Sequence, residues 1–220
     1  DIGMINLVHQ LIPNLEIHSS TQTNCHNDEC LKLLKKIGVK RAVLAREMSL
    51  DEIKNLKADI DLEVFIHGAL CVSYSGRCLF SSLNGGRSGN RGKCVGSCRI
   101  PYEILEDGKK TNIKFPLSTK ELNTVNNIKM LLDTNIKSLK IEGRMKSPEY
   151  VGYVTKVYRR LIDEYYENKN PKIKKEELIN LSKLFNRQFT KGYLFGEDIY
   201  NTNSSNHLGY PLGKIVKINP

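Results

Sequence analysis

The sequence predicts an α/β fold built on parallel strand–helix–strand units. Short runs rich in β-branched residues recur roughly every two dozen residues, amphipathic stretches opened by capping residues lie between them, and Gly, Asn and Pro punctuate the joins. A chain of 220 residues, 40% hydrophobic and 26% charged, can bury a sizeable core, which excludes a disordered tail, a collagen-like repeat and a disulfide miniprotein. No apolar run approaches the roughly 18 residues that cross a bilayer, and Asp1-Ile2-Gly3-Met4 lacks the basic-then-apolar order of a signal peptide. A cytoplasmic protein without a membrane partner is expected. Its first residues read as the inside of a fold, so a preceding segment is expected too.

Residues 15–20 form the first expected strand. Residues 28–36 follow as a helix with Cys30, Leu31, Leu33, Leu34 and Ile37 at inward spacing, ended by Gly38. After a second strand at 41–45, Ser49 and Glu52 have the spacing of a capping box, and Ile53 and Leu56 form that helix's inner face. A third strand spans 62–66, where the pattern breaks at His67. It resumes at Ser118, expected to cap a helix running to Leu132, before a fourth strand at 138–141. Ser147-Pro148-Glu149 opens a long helix with Val151, Val154, Tyr158, Leu161, Ile162 and Tyr165 on one face. Residues 168–171 read as a linker, 174–185 as a shorter helix and 214–218 as a strand.

In parallel α/β folds the carboxyl ends of the strands converge on one rim, where ligands bind. Here each strand runs into polar residues: Ser20, Thr21 and Gln22, then Arg46 and Glu47, then His67, then Glu142 and Arg144. Single residues of this kind are ordinary loop positions; the coincidence of four such ends points to a shared site. Glu142 and Arg144 are the strongest pair, as proton-handling carboxylate and anion clamp or, on the plainer reading, as a sealing ion pair. A lone His67 fits a hydrogen-bonded structural residue as well as an orienting one.

Charge is unevenly spread. Lys and Arg number 34 against 24 Asp and Glu, a net +10, and no acidic residue lies between Glu63 and Glu103, where Arg77, Arg87, Arg91, Lys93 and Arg99 fall. Such a patch suits a phosphate-rich ligand, unless it is simply a solvated lysine-rich surface. The same stretch holds Cys71, Cys78, Cys94 and Cys98 among many glycines. Their spacing leaves open an iron–sulfur cluster, a zinc site for which only the Cys94/Cys98 pair is close enough, or free thiols and disulfides. Cys30 reads as core and Cys25 as a further ligand or nothing.

Residues 63–78, 87–94 and Cys98-Arg99, together with 15–22, 43–49, 139–148 and Phe185-Asn186-Arg187, closely resemble peptidase family U32, the collagenase-like proteins. The resemblance implies the second half of a TIM-like (β/α)8 barrel with a Cys/Gly-rich insertion and a long C-terminal helix. Residues 1–168 would be a partial barrel with its fifth to eighth strands and an insertion at 67–102, and Asp1-Ile2-Gly3 would end the fourth strand. Residues 169–220 would form a helical extension leading to a small β domain. Exposed strand edges favour a homo-oligomer. Family members include peptidases and proteins that support hydroxylation of a tRNA or rRNA base, with iron–sulfur clusters on cysteines. No Ser-His-Asp order, His-Glu-x-x-His motif or protease-type aspartate pair is present, and Cys71 with His67 is a poor nucleophile–base pair. RNA base hydroxylation is therefore the favoured expectation, with a peptidase or a noncatalytic partner subunit as alternatives. On this reading a 4Fe–4S cluster sits on Cys71, Cys78, Cys94 and Cys98, with zinc the less favoured metal. Arg87, Arg91, Lys93 and Arg99 hold tRNA or rRNA. Glu142, Arg144, His67, Arg46 and Glu47 handle chemistry, the arginines binding an anionic small-molecule cosubstrate.

Overall fold

A computed structural model describes residues 1–217. Asp1 does not close a strand; its carboxylate accepts from Met4 N at 3.0 Å and so caps helix α1 (Ile2–Leu11). No residue of α1 is buried, and Ile2, Met4, Leu7 and Leu11 are exposed. Strand β1 (Ile17–Ser19) leads to α2 (Asp28–Lys36), capped by the Asn27 side chain accepting from Cys30 N at 2.9 Å. Leu31 and Leu34 are its buried residues, while Leu33 stays exposed. After β2 (Val39–Val43), the expected capping box opens α3 (Leu50–Lys54): Ser49 N donates to Glu52 Oε2 at 2.7 Å and Glu52 N to Ser49 Oγ at 3.3 Å.

β3 (Asp61–Ala69) runs past the expected break at His67. Its register shifts between Phe65 and His67, and two neighbours hold the far end: Glu142 N donates to His67 O at 2.8 Å, and residues 67–69 pair with a strand at Glu121–Asn123. Gly68 makes this approach possible. It has φ +109, and a Cβ there would lie 2.3 Å from Glu142 O.

The insertion contains α4 (Phe80–Leu83), and a hairpin of β4 (Leu105–Glu106) and β5 (Lys109–Lys110) follows it. Ser118 does not cap a helix. Ser118-Thr119-Lys120-Glu121 has a capping box's spacing, but Ser118 Oγ donates to Ser204 O at 3.1 Å and Arg187 takes Glu121, so the chain continues as β6 (Glu121–Asn123). Only the end of the expected helix survives, as α5 (Ile128–Leu132). β7 (Ile136–Ile141) precedes α6 (Pro148–Asn168), which opens as its sequence dictates, with Pro148 in the first turn and Ser147 Oγ accepting from Tyr150 N at 3.2 Å. Its buried stripe is Tyr150, Val154, Val157, Tyr158, Leu161 and Tyr165, turned slightly from the expected face that included Val151 and Ile162. α7 (Lys175–Lys183) and β8 (Phe189–Thr190) follow. Residues 214–217 carry no strand, and Ile218 lies outside the described residues.

The sheet is mixed and mainly parallel. β1, β2, β3 and β7 run parallel in that order, β6 pairs antiparallel with the carboxyl end of β3, and β8 runs parallel to β6. One apolar core, including Leu31, Leu34, Ile53, Val64, Ile66, Leu131, Val154 and Leu161, joins the sheet to the helices. Glu63 instead spans three adjacent strands: its carboxylate accepts from Ser138 Oγ at 2.7 Å and lies 3.1 Å from Lys140 Nζ and 3.9 Å from Arg41 Nη1. No helix among the described residues is long and apolar enough to cross a membrane.

Candidate functional site

Beyond the carboxyl ends of the strands, the cysteine segment is fixed at both ends. At its start Ser75, fully buried, donates from its N and Oγ to Glu47 at 3.0 Å each, and Arg46 N donates to Ser75 Oγ at 3.3 Å. Gly76 follows at φ +73, so close to the chain beside it that a Cβ would meet Gln22 O at 2.3 Å. Arg46, Glu47 and Gln22 therefore serve as supports that seat the segment on the rim. At its end the Arg99 guanidinium donates to Leu70 O at 2.8 Å, to Ser118 Oγ at 3.2 Å and to the carbonyl and hydroxyl of Thr119. Those bonds occupy Arg99, which the sequence marks as a phosphate ligand.

Arg87, Arg91 and Lys93 are exposed and make no side-chain hydrogen bond or ion pair among the described residues. Arg144 reaches the same loop, its Nη2 donating to Gly92 O at 3.0 Å. It does not form an ion pair with Glu142, whose Oε1 accepts from Arg144 N at 2.7 Å and tightens the turn after β7. His67 lies away from this surface. It is 1% exposed, packed among Tyr150, Tyr158 and Phe189, with Nδ1 3.3 Å from the Tyr158 hydroxyl. Burial, helped by the Lys146 charge, pushes its pKa down to about 3, so it is neutral at physiological pH. Arg46 and Glu47 thus hold Ser75, Arg144 reaches Gly92, and Glu142 meets His67 only through its backbone, Glu142 N donating to His67 O at 2.8 Å.

All six cysteines are free. Burial pushes the Cys98 thiol up, Arg99 pulls it down, and Cys71 and Cys94 push it up again, so these three thiols lie within electrostatic range. Cys94 Sγ accepts from Gly96 N at 3.4 Å and from Ser81 Oγ at 3.7 Å. Yet no group of three or more His, Cys, Asp or Glu among the described residues is gathered closely enough to hold a metal ion. The donors fit a thiophilic centre in kind.

Sequence reasoning overlooked a second group beside this rim. Glu121, fully buried on β6, takes a hydrogen bond from Arg187 and lies 3.8 Å from Lys146 Nζ, with the Tyr150 side chain beneath the same ammonium. The available signal was position alone: Lys146 and Arg187 fall inside the segments that resemble the family.

The model of peptidase family U32 matches residues 1–204. The chain belongs to that family. Within U32 it is 38% identical to "tRNA hydroxylation protein P" of Helicobacter pylori strain J99, over 93% of this chain and 52% of that protein. It is 39% identical to "tRNA hydroxylation protein P1" of Bacillus subtilis, over 90% of this chain and 49% of the relative. Identity is 36% to the Escherichia coli "23S rRNA 5-hydroxycytidine C2501 synthase", over 99% of this chain and 35% of the relative. U32 relatives at lower identity carry the names protease and collagenase. The chain spans about half the length, or less, of these three hydroxylation relatives. No solved structure matches it.

Proposed function

We propose that this U32 chain is part of a protein that hydroxylates a base of tRNA or rRNA. What carries the reading is the pairing of relatives named for tRNA and rRNA hydroxylation with the seated, acid-free loop that presents Arg87, Arg91 and Lys93 to solvent. The three cations bind RNA phosphates, and Arg144 braces the loop from the turn after β7. Cys71, Cys78, Cys94 and Cys98 are the proposed ligands of an iron–sulfur centre, which would supply one-electron chemistry. The run of parallel strands β1, β2, β3 and β7 is half of a TIM-like barrel on this reading, and its edges at β1 and β7, unpaired among the described residues, are where further strands, of the same protein or of a second copy, would pair. A peptidase is less favoured because the one buried histidine is neutral and bonded to Tyr158 rather than to a nucleophile.

Two measurements test this. Nucleosides from tRNA and rRNA of cells lacking the full-length protein should lose one hydroxylated species by mass spectrometry and regain it on complementation. An unchanged profile would sink the reading. In vitro, Arg87→Ala, Arg91→Ala and Lys93→Ala combined should weaken RNA binding and flatten its salt dependence by a slope of up to about three, since each phosphate contact releases roughly one counterion.

A further inference from the structure

Two buried polar groups beside the rim have no hydrogen-bond partner among the described residues, and a largely buried ammonium lies beside them. Glu121 Oε2 is buried and has no hydrogen-bond partner, and neither has the hydroxyl of Tyr150, a residue 2% exposed. Lys146 Nζ makes no hydrogen bond among the described residues; it sits 3.8 Å from Glu121, 3.5 Å from the Phe185 ring centroid and 5.3 Å from that of Tyr150, with its side chain 8% exposed. Buried polar groups left open are uncommon, and two beside one buried ammonium call for a missing partner.

Charge says what partner. Lys146, Arg187 and Arg99 face one fully buried carboxylate, Glu121, with Glu142 further out. Burial holds the Lys146 ammonium below its usual range, and Arg187 and Arg99 act in the same direction against Glu121 and Glu142. The surplus is positive, and a buried positive surplus is stabilised by an anion.

The backbone supports a built site. Among the described residues five non-glycines have positive φ. Asn24 and Asp107 belong to types that tolerate it, and Lys169 ends α6; the other two are Met145 (φ 61) and Gln188 (φ 72), which adjoin Lys146 and Arg187. Backbone held in this region gathers at functional positions.

We propose that Lys146, Arg187 and Tyr150 form a binding site for a small oxyanion, a carboxylate or phosphate group, whose own donor satisfies Glu121 Oε2. Arg99 adds charge from behind while it anchors the cysteine segment. The depth of these groups favours a small molecule over an RNA backbone, which the exposed Arg87, Arg91 and Lys93 suit. The site does not depend on the RNA reading: a protein with no hydroxylating activity would still bind the anion.

Thermal unfolding of the full chain tests it, with inorganic phosphate in one arm and malate in the other, against chloride at equal ionic strength. One of the two should raise the midpoint saturably, by roughly 5–10 °C at a hundredfold excess over its Kd, and the arm that does so tells phosphate from carboxylate. Lys146→Gln should weaken binding about tenfold or more. Tyr150→Phe keeps the ring and its packing, so it should fold normally and still weaken binding severalfold. No saturable shift with either anion would overturn the proposal, as would equal shifts in wild type and Tyr150→Phe. A shift lost in the Arg87/Arg91/Lys93 alanine variant but kept in Lys146→Gln would place the anion on the RNA path instead, and overturn it too.

Discussion

His67 shows how little a residue's type says about its work. At a strand end it reads as a rim residue, but a register shift in β3 turns it into a box of aromatic side chains. The organising atom there is the Tyr158 hydroxyl, which donates to Ile66 O at 2.9 Å, accepts from Thr124 N at 3.1 Å and meets His67 Nδ1 at 3.3 Å. It ties α6 to β3 and to the turn after β6. Tyr158→Phe leaves buried partners short of a bond at almost constant volume, so it should cost about 1–3 kcal/mol in urea unfolding with an unchanged m-value. An unaltered midpoint would mean that packing alone holds the joint. Of the candidate residues, Arg87, Arg91 and Lys93 were legible because solvated loop cations need only composition to be found. Glu121 and Tyr150 were not, since their environment is made by contacts with residues far away in sequence.

Elements with complete local signals appear where the sequence puts them. α2, α3 and α6 carry their caps, stripes and first-turn acids within a few residues, and each begins where its capping residue says. β6 is the opposite case. Its Ser-x-x-Glu opening mimics a cap, and only pairing with β3 and the Arg187 contact decide for strand over helix. The cysteine segment depends on anchors rather than on its own periodicity, so its order should depend on them as well. Arg99→Gln removes most of the bonds to Leu70, Ser118 and Thr119, and amide hydrogen exchange should accelerate about tenfold or more across residues 71–99 while α2 and α6 keep their protection. Exchange that stayed unchanged in the segment would assign its order to Ser75 and Glu47 alone.

On the scale of the whole molecule, the parallel α/β plan was readable from periodicity, whereas the antiparallel entry of β6 and the return of β8 to the same sheet were not, because pairings between distant segments leave no local pattern. The aromatic box built by that sheet and α6 makes global stability depend on pH. The folded-state pKa of His67, about 3, lies below its ordinary value of 6.5, because burial and the Lys146 charge oppose protonation. Below pH 6.5 the unfolded chain therefore takes up a proton at this site that the folded chain refuses. The contribution is fully present above 6.5 and is lost as pH falls toward 3, at a rate approaching 1.4 kcal/mol per pH unit, or about 2 kcal/mol between pH 7.5 and 5. Glu63 adds to the loss only further down. Its burial would raise its pKa, but the Ser138, Lys140 and Arg41 contacts outweigh that and lower it from 4.5, so its share disappears as pH falls below that value. Between pH 7.5 and 5 the two effects separate, and His67→Phe, which fits the box and cannot titrate, isolates the first. Urea unfolding across that range should show the wild type losing about 2 kcal/mol more than His67→Phe. Parallel losses in the two proteins would show that His67 takes up its proton in the folded state as readily as in the unfolded one, and that the aromatic box does not exclude the charge.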